Sequence, residues 1–381
     1  MRFTCCLTLY AAGGCDARPP GSGLGPSNPG GALFAREIWR VPEVSAGVGP
    51  AVDDSTVYFS NSQHQVFALR VTDGSTRWIS ASIGPNFEIG RALHVARNLV
   101  LYPQYDIHAF DVSTGQLAWR FSDSAHTAGG FFRLAADSAK VYGGSTSGVV
   151  VAVRLQDGSL AWRTHVSADT GQVNVYGPAV SNGRVFAGYA RFSNPIVGGV
   201  VALDATTGAV IWQRDLPPVS PDLWGGAFDA LTVWQDLVIV SGWDGRVRAF
   251  RSDSGLDAWT APRPSGLRAG VNDSRPLAVV GDVIVVGSTL TFFEGLDART
   301  GLRVWTKTVL NRGSLDYPIV SMGDSFLLRY TSLQVGRLDG LSGATLWETR
   351  SVTEPYVLAD PAFDVARVYL ATGSGFFALQ R

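Results

Sequence analysis

Beyond residue 15 the chain has no cysteine. That excludes disulfides, thiolate metal sites and cysteine nucleophiles from everything after Cys15. Lysine is almost absent too: Lys140 and Lys307 are the only two, and arginine supplies the other basic side chains. We read this bias as base composition rather than chemistry. Net charge is −1, so composition offers no argument for nucleic acid or an acidic membrane surface. No window sustains helical periodicity, and past the N-terminus no stretch approaches the roughly 18 apolar residues of a membrane span.

The chemistry-bearing motifs are missing as well. His64, His94, His108, His126 and His165 form no paired helical ligand motif and are spread over several repeats. There is no Gly-x-Ser-x-Gly elbow, phosphate loop or dinucleotide fingerprint. Ser145-Thr146-Ser147 reads as a strand-connecting turn. Asp53-Asp54 reads as a turn between two strands, and Asn174 and Asn272-Asp273 read as polar turn residues. No catalytic residue, metal site or cofactor is expected.

What the chain does have is a repeated phrase, clearest at Ala202-Leu203-Asp204-Ala205-Thr206-Thr207-Gly208-Ala209-Val210-Ile211-Trp212. Glycine precedes tryptophan by four residues in seven copies: Gly74 and Trp78, Gly115 and Trp119, Gly158 and Trp162, Gly208 and Trp212, Gly255 and Trp259, Gly301 and Trp305, Gly343 and Trp347. The leading position holds Ala68, Ala109, Ala152, Ala202 and Ala249, then Gly295 and Arg337. Successive tryptophans lie 41, 43, 50, 47, 46 and 42 residues apart. A period of this length marks a repeat architecture.

Each unit reads as four short strands, in the first unit roughly 49–53, 56–60, 65–70 and 75–79. The glycine supplies the positive φ of a hairpin between the third and fourth strands. The tryptophan on the fourth strand packs against the neighbouring unit. Four-stranded units of this size read as propeller blades. An eighth unit begins at 360–363, continues through 368–370 and 376–379, and has no Gly-Trp phrase of its own. The strand around Ala35–Val41 supplies the missing element, with Trp39 as the eighth docking tryptophan. Its pairing closes the ring and removes the open edges. The expectation is an all-β, eight-bladed propeller of four-stranded antiparallel blades over residues 34–381.

The phrase Ala-x-Asp-x-x-Thr-Gly-x-x-x-Trp resembles the tryptophan-docking repeat of the PQQ-like propeller family. That family includes quinoprotein dehydrogenases and the BamB-like outer-membrane assembly lipoproteins. The resemblance implies the eight-bladed fold. It does not carry the dehydrogenases' adjacent cysteines, because the propeller has none.

Arg2, the apolar run Phe3–Ala12 and Gly13-Gly14-Cys15 describe an export signal over residues 1–15. Small residues before Cys15 resemble a bacterial lipobox, which implies lipidation there. Residues 16–33 are rich in Pro, Gly and Ser and read as a flexible tether. The expected location is the periplasmic face of a bacterial membrane as a lipoprotein, the outer membrane favoured over the inner. Failing lipidation it is periplasmic or extracellular.

The turns between strands one and two and between three and four are short, as at Asn182-Gly183 and Thr207-Gly208. The links on the opposite face are long. One face is plain and the other elaborated, and long loops on a rigid scaffold are where binding resides. Around units four and five the elaborated face gathers an extended loop over 188–199, the longest link at 213–229 and the turn Trp243-Asp244-Gly245. Arg191, Phe192, Leu223, Trp224, Phe228 and Trp243 form the candidate partner surface. Trp224 and Trp243 stand outside the docking phrase; they either cap blade ends locally or anchor an interface. The expected function is a non-catalytic, monomeric, BamB-like scaffold binding another envelope protein, possibly an outer-membrane assembly complex, with no nucleic-acid partner. The alternative is a ligand-sensing or PQQ-binding site in the axial channel.

Overall fold

The computed structural model describes residues 35–42, 48–84, 92–123, 129–167, 172–193, 195–217, 224–262, 277–287, 292–308, 319–331, 334–349, 360–372 and 375–381. The export signal, Cys15 and the tether lie outside them. The described residues form eight antiparallel sheets that follow the order of their strands in the chain, except in blade four, whose first strand is split into Val173–Val175 and Ala179–Ser181 on the same partner, and in the last blade. Blade one comprises Ala51–Val52, Thr56–Ser60, Val66–Arg70 and Thr76–Ile79, within a residue or two of the spacing-based boundaries. In blade eight, Ala362–Phe363, Arg367–Ala371 and Gly375–Gln380 are completed by Glu37–Pro42 from the other end of the chain. Trp39 faces Ala378 in that ladder. No helix among the described residues is long and apolar enough to cross a membrane.

Burial explains why the strands differ in pattern. Middle strands such as Thr56–Ser60 and Leu99–Pro103 are buried on both faces, since each lies between two neighbouring blades. They therefore read as unbroken apolar runs. Outermost strands have one face toward the next blade and one toward solvent, so Leu117–Phe121 alternates instead.

The blades are joined by one contact used seven times. Trp162 of blade three lies against Gly208 in the hairpin of blade four, where an added Cβ would sit 2.6 Å from the indole. Gly208 also has φ of 75°, so both its conformation and its missing side chain are required. The Trp162 Nε1–H donates to the Ala205 carbonyl (3.1 Å). The same pair of contacts joins Trp39 to Gly74, Trp78 to Gly115, Trp119 to Gly158, Trp212 to Gly255, Trp259 to Gly301 and Trp305 to Gly343. Trp347 is the exception. It packs among Ala35, Leu370 and Leu379, and its Nε1 is buried without a partner.

The residue opposite each tryptophan on the third strand is Ala68, Ala109, Ala152, Ala202, Ala249 or Ala378, with Gly295 and Arg337 in the remaining two blades. A small side chain there leaves room for the indole. The second residue after the tryptophan adds a further tie in three blades. Thr164 Oγ1, Arg214 Nε and Lys307 Nζ donate to the carbonyls of Gly208, Gly255 and Gly343 at 2.6, 2.7 and 3.2 Å. Lys307 therefore has a structural role that composition alone did not suggest, and burial lowers its pKa.

Asp53 forms the turn expected of it. Its Oδ1 accepts the Ser55 and Thr56 amides, while Oδ2 accepts the Tyr58 hydroxyl (2.7 Å). Asp137 with Tyr142 and Asp364 with Tyr369 repeat the clamp at 2.6 and 2.5 Å. Burial, reinforced by the bonded carboxylate, raises the pKa of all three tyrosines. Each phenol lies 5.7–5.9 Å from a docking tryptophan: Tyr58 from Trp78, Tyr142 from Trp162, Tyr369 from Trp39.

Candidate functional site

Within the stretch 188–199, residues 188–191 and 197–199 are ladder rather than loop. Gly188, Tyr189, Ala190 and Arg191 pair with Val200, Gly199, Gly198 and Val197, so two eight-residue strands extend the second hairpin of blade four. Gly198 and Gly199 permit this: a Cβ on either would come within 2.2 Å of a carbonyl oxygen, of Tyr189 and Arg214 respectively. Asn174 likewise lies in a strand, Val173–Val175, opposite Ala190, rather than in a turn. Its Oδ1 is buried without a partner. Asn272-Asp273 lies outside the described residues.

The extended hairpin carries Phe192 at its tip, with its amide bonded to the Gln172 carbonyl (2.9 Å). Blade five contributes Trp243 from the tight turn between its second and third strands. The link between the blades contributes Trp224. Three backbone hydrogen bonds stitch that link down: Gly225 N to Ile196 O (2.7 Å), Gly226 N to Leu216 O (2.7 Å) and Trp243 N to Gly226 O (3.2 Å). The three rings consequently meet. Phe192 and Trp243 are 6.1 Å apart at 85°, and Trp224 and Trp243 are 5.5 Å apart at 64°, both edge-to-face.

The three aromatics are not equivalent. Phe192 is 40% and Trp224 36% exposed. Trp243 is half-buried and packs on Tyr176, Ala190 and Ile196. Phe132 extends the row, stacked 5.8 Å from Tyr176. Tyr176, Ile196 and Phe132 were not singled out from sequence. The alternation of the first and second strands of blade four would have indicated Tyr176 only had 188–199 been read as a ladder. Leu223 lies outside the described residues, as does the Phe228 side chain, although Phe228 itself belongs to the strand Ala227–Trp234. Arg191 ends its strand beside Phe192.

A buried ion pair fixes the Trp243 turn. Asp244 is 1% exposed, accepts the Arg246 amide (3.1 Å) and holds Arg248 through both oxygens, at 2.9 Å for Oδ1. Separating such partners would strand a charge in a dry site, so the turn is rigid.

The axial channel contains a feature absent from the sequence reading. Arg133, on the innermost strand of blade three, pairs with Asp360, just before the innermost strand of blade eight, at 2.9 Å. Blades three and eight are not neighbours, so this strut crosses the axis. Among the described residues no group of three or more His, Asp or Glu side chains could hold a metal.

His108 is buried elsewhere, between blades one and two. It is 3% exposed, and its Nδ1 has no partner. Burial lowers its pKa to about 4; nearby Asp106 opposes the shift and Arg120 adds to it. The folded state thus binds fewer protons than the unfolded chain between pH 6.5 and 4. Stability falls as pH drops through that window, by about 3 kcal/mol at most, and this contribution is flat above it. Melting at pH 7 and pH 5 checks this: His108→Leu should remove most of the loss, and an unchanged pH dependence would contradict it. Asp137 and Asp364 act lower down. Burial alone would raise their pKa, but their tyrosine and amide hydrogen bonds outweigh it, so their contribution is lost only below about pH 4.

Two matches over residues 31–191 and 175–328 fit the family described as outer membrane protein assembly factor BamB, and together they span most of the chain. The chain belongs to the BamB family of PQQ-like propellers. Outer membrane protein assembly factor BamB of Yersinia pestis is 28% identical over 65% of this chain, and the match spans 64% of that relative, just under two thirds. Tetrathionate hydrolase of Acidithiobacillus ferrooxidans is 20% identical over 68% of this chain and 57% of its own length. Among solved structures, BamB of Moraxella catarrhalis superposes with a TM-score of 0.69 at 15% identity, covering 91% of this chain and all of that one. A quinohemoprotein alcohol dehydrogenase from Pseudomonas putida HK5 gives 0.69 at 13% identity over 92% of this chain and 76% of its own. At such identities the structural likeness establishes the fold alone, and that fold also serves enzymes.

Proposed function

We propose that this BamB-family propeller is a non-catalytic scaffold of the bacterial envelope, exported through residues 1–15, lipidated at Cys15 and tethered by residues 16–33. The observation that carries the reading is the aromatic cluster on the elaborated face. Phe192, Trp224 and Trp243 come from two turns and one link, none belongs to the docking repeat, and two remain well exposed on a rigid base. Aromatics held this way bind a partner at low ordering cost. Another envelope protein, a component of an outer-membrane assembly complex, is the partner this surface would take.

The position of the closing strand supports the same arrangement. Ala35 enters at the plain face, beside the 364–366 turn, opposite the face that carries the aromatic cluster. A ligand site in the channel is disfavoured by the Arg133–Asp360 strut.

The test is a pull-down from detergent-solubilised native membranes with the wild type, Phe192→Ala/Trp224→Ala and Cys15→Ala. The aromatic variant should lose outer-membrane assembly components by about tenfold while melting within a few degrees of wild type. Trp243 is spared because its packing makes its loss a stability change as well. Cys15→Ala should leave the membrane fraction. Equal recovery with the aromatic variant would remove the cluster from the interface.

A further inference from the structure

We infer that the plain face carries a site for a phosphate-type anion, formed by Arg97, Lys140 and Arg154. These side chains line a groove of about 370 Å³ at the rim of blades two to four, together with Gln156 and Thr206. An adjoining groove of about 460 Å³ shares Arg97 and Gln156. No carboxylate lines either one. Among the described residues none of the three cations is ion-paired.

The guanidinium groups are placed rather than loose. Arg97 Nη1 donates to the Ser138 carbonyl in the neighbouring blade's turn (3.1 Å). Arg154 Nη1 donates to Ser159 Oγ (3.1 Å) and the Leu160 carbonyl (3.0 Å). Each guanidinium has further N–H groups for a ligand, in the planar geometry that suits phosphate. Asp137, Asp157 and Asp204 lie nearby and feel the charges of Lys140 and Arg154, but they form no ion pair with them, and their Oδ1 atoms are taken by turn amides.

Arg97 is one of two long side chains held at positive φ in this turn, the other being Gln235. Arg97 has φ of 57° in the turn between the first two strands of its blade. The matching turns in blades four, five, six and seven have Asn182, Gln235, Gly281 and Gly323 at positive φ. Asn and Gly adopt this conformation readily, whereas a long side chain does so at a cost.

The anion could be a lipid headgroup or a soluble phosphate. The experiment separates the sources. The full chain is titrated calorimetrically with pyrophosphate at low salt, and sedimented with vesicles of phosphatidylcholine alone or with added phosphatidylglycerol. Arg97→Gln/Arg154→Gln is compared with the control Arg77→Gln/Arg251→Gln, and both are checked by thermal melting; Lys140→Gln is a second site variant. Saturable pyrophosphate binding that weakens about tenfold in the site variants and not in the control supports the site. Capture by the anionic vesicles with the same variant pattern identifies the headgroup as source, and pyrophosphate binding without vesicle capture identifies a soluble phosphate. Binding to neither probe, or equal loss in the control, overturns the inference. None of these outcomes depends on the aromatic cluster.

Discussion

Trp212→Ala should lower the folding free energy by about 3–5 kcal/mol. The indole is 6% exposed, lies against Gly255 and packs among Phe186, Leu216, Leu231 and Phe250. Removing it opens a cavity between blades four and five and leaves the Ser252 carbonyl without the indole donor, formerly 3.0 Å away. The rigid hairpin around Gly255 cannot collapse inward to fill the space, so the cost belongs at the upper end of the range for large-to-small changes. Urea denaturation of the variant measures it, and a loss below about 1 kcal/mol would contradict the docking assignment. A companion pair isolates the hydrogen bond. Trp212→Phe loses the bond as well as volume, whereas Trp347→Phe has no such bond to lose. The first should exceed the second by about 1 kcal/mol.

Deleting residues 1–42 should be more damaging still, while deleting residues 1–34 should leave the fold intact. The shorter deletion spares every strand and docking tryptophan of the described structure. The longer one takes away Trp39, its bond to the Val71 carbonyl (3.0 Å) and its contact with Gly74. It also strips the whole ladder from Gly375–Gln380 and breaks the bond from the Gln380 amide to the Arg36 carbonyl (2.7 Å). The bared strand reads Gly-Phe-Phe-Ala-Leu-Gln, an apolar edge of the kind that pairs with other chains. Light scattering after gel filtration distinguishes the outcomes: aggregates or oligomers for the longer deletion, a single species for the shorter. A monodisperse longer deletion with an unchanged melting temperature would show that ring closure is dispensable.

Much of this fold is legible in the sequence because the glycine-to-tryptophan interval is itself the contact between blades. Gly208 must lack a side chain to admit Trp162, and Trp212 must be large to cover Gly255, so the phrase survives where the rest of each unit varies. The closing strand is legible for a related reason: the eighth unit lacks a phrase, and Trp39 lacks a unit. The Asp-x-x-x-Val-Tyr clamps at 53–58, 137–142 and 364–369 were equally available, but three copies spread over eight blades give a weaker period.

The candidate site was less legible. That Phe192, Trp224 and Trp243 share one face follows from counting strands. That their rings touch depends on hydrogen bonds from Gly225 and Gly226 that no local pattern announces. The stretch 188–199 reads as a loop because glycine breaks its alternation, yet Gly198 and Gly199 are what let the strands come together. Arg133 and Asp360 belong to distant repeats, and only closure of the ring brings them within 2.9 Å.

The pairing of Glu37–Pro42 with Gly375–Gln380 also sets an order of events in the life of the chain. The strand that completes the ring is synthesised before blade one, and its partner only after blade seven. Blades one to seven can form in sequence as the polypeptide emerges, but blade eight waits for Gly375–Gln380 to meet a strand made before all the others. Until then the nascent molecule is an open arc with a free edge at each end. Such a chain depends on whatever guards unpaired strands, and its final step joins blade eight to a segment that precedes blade one, the kind of distant contact that forms slowly.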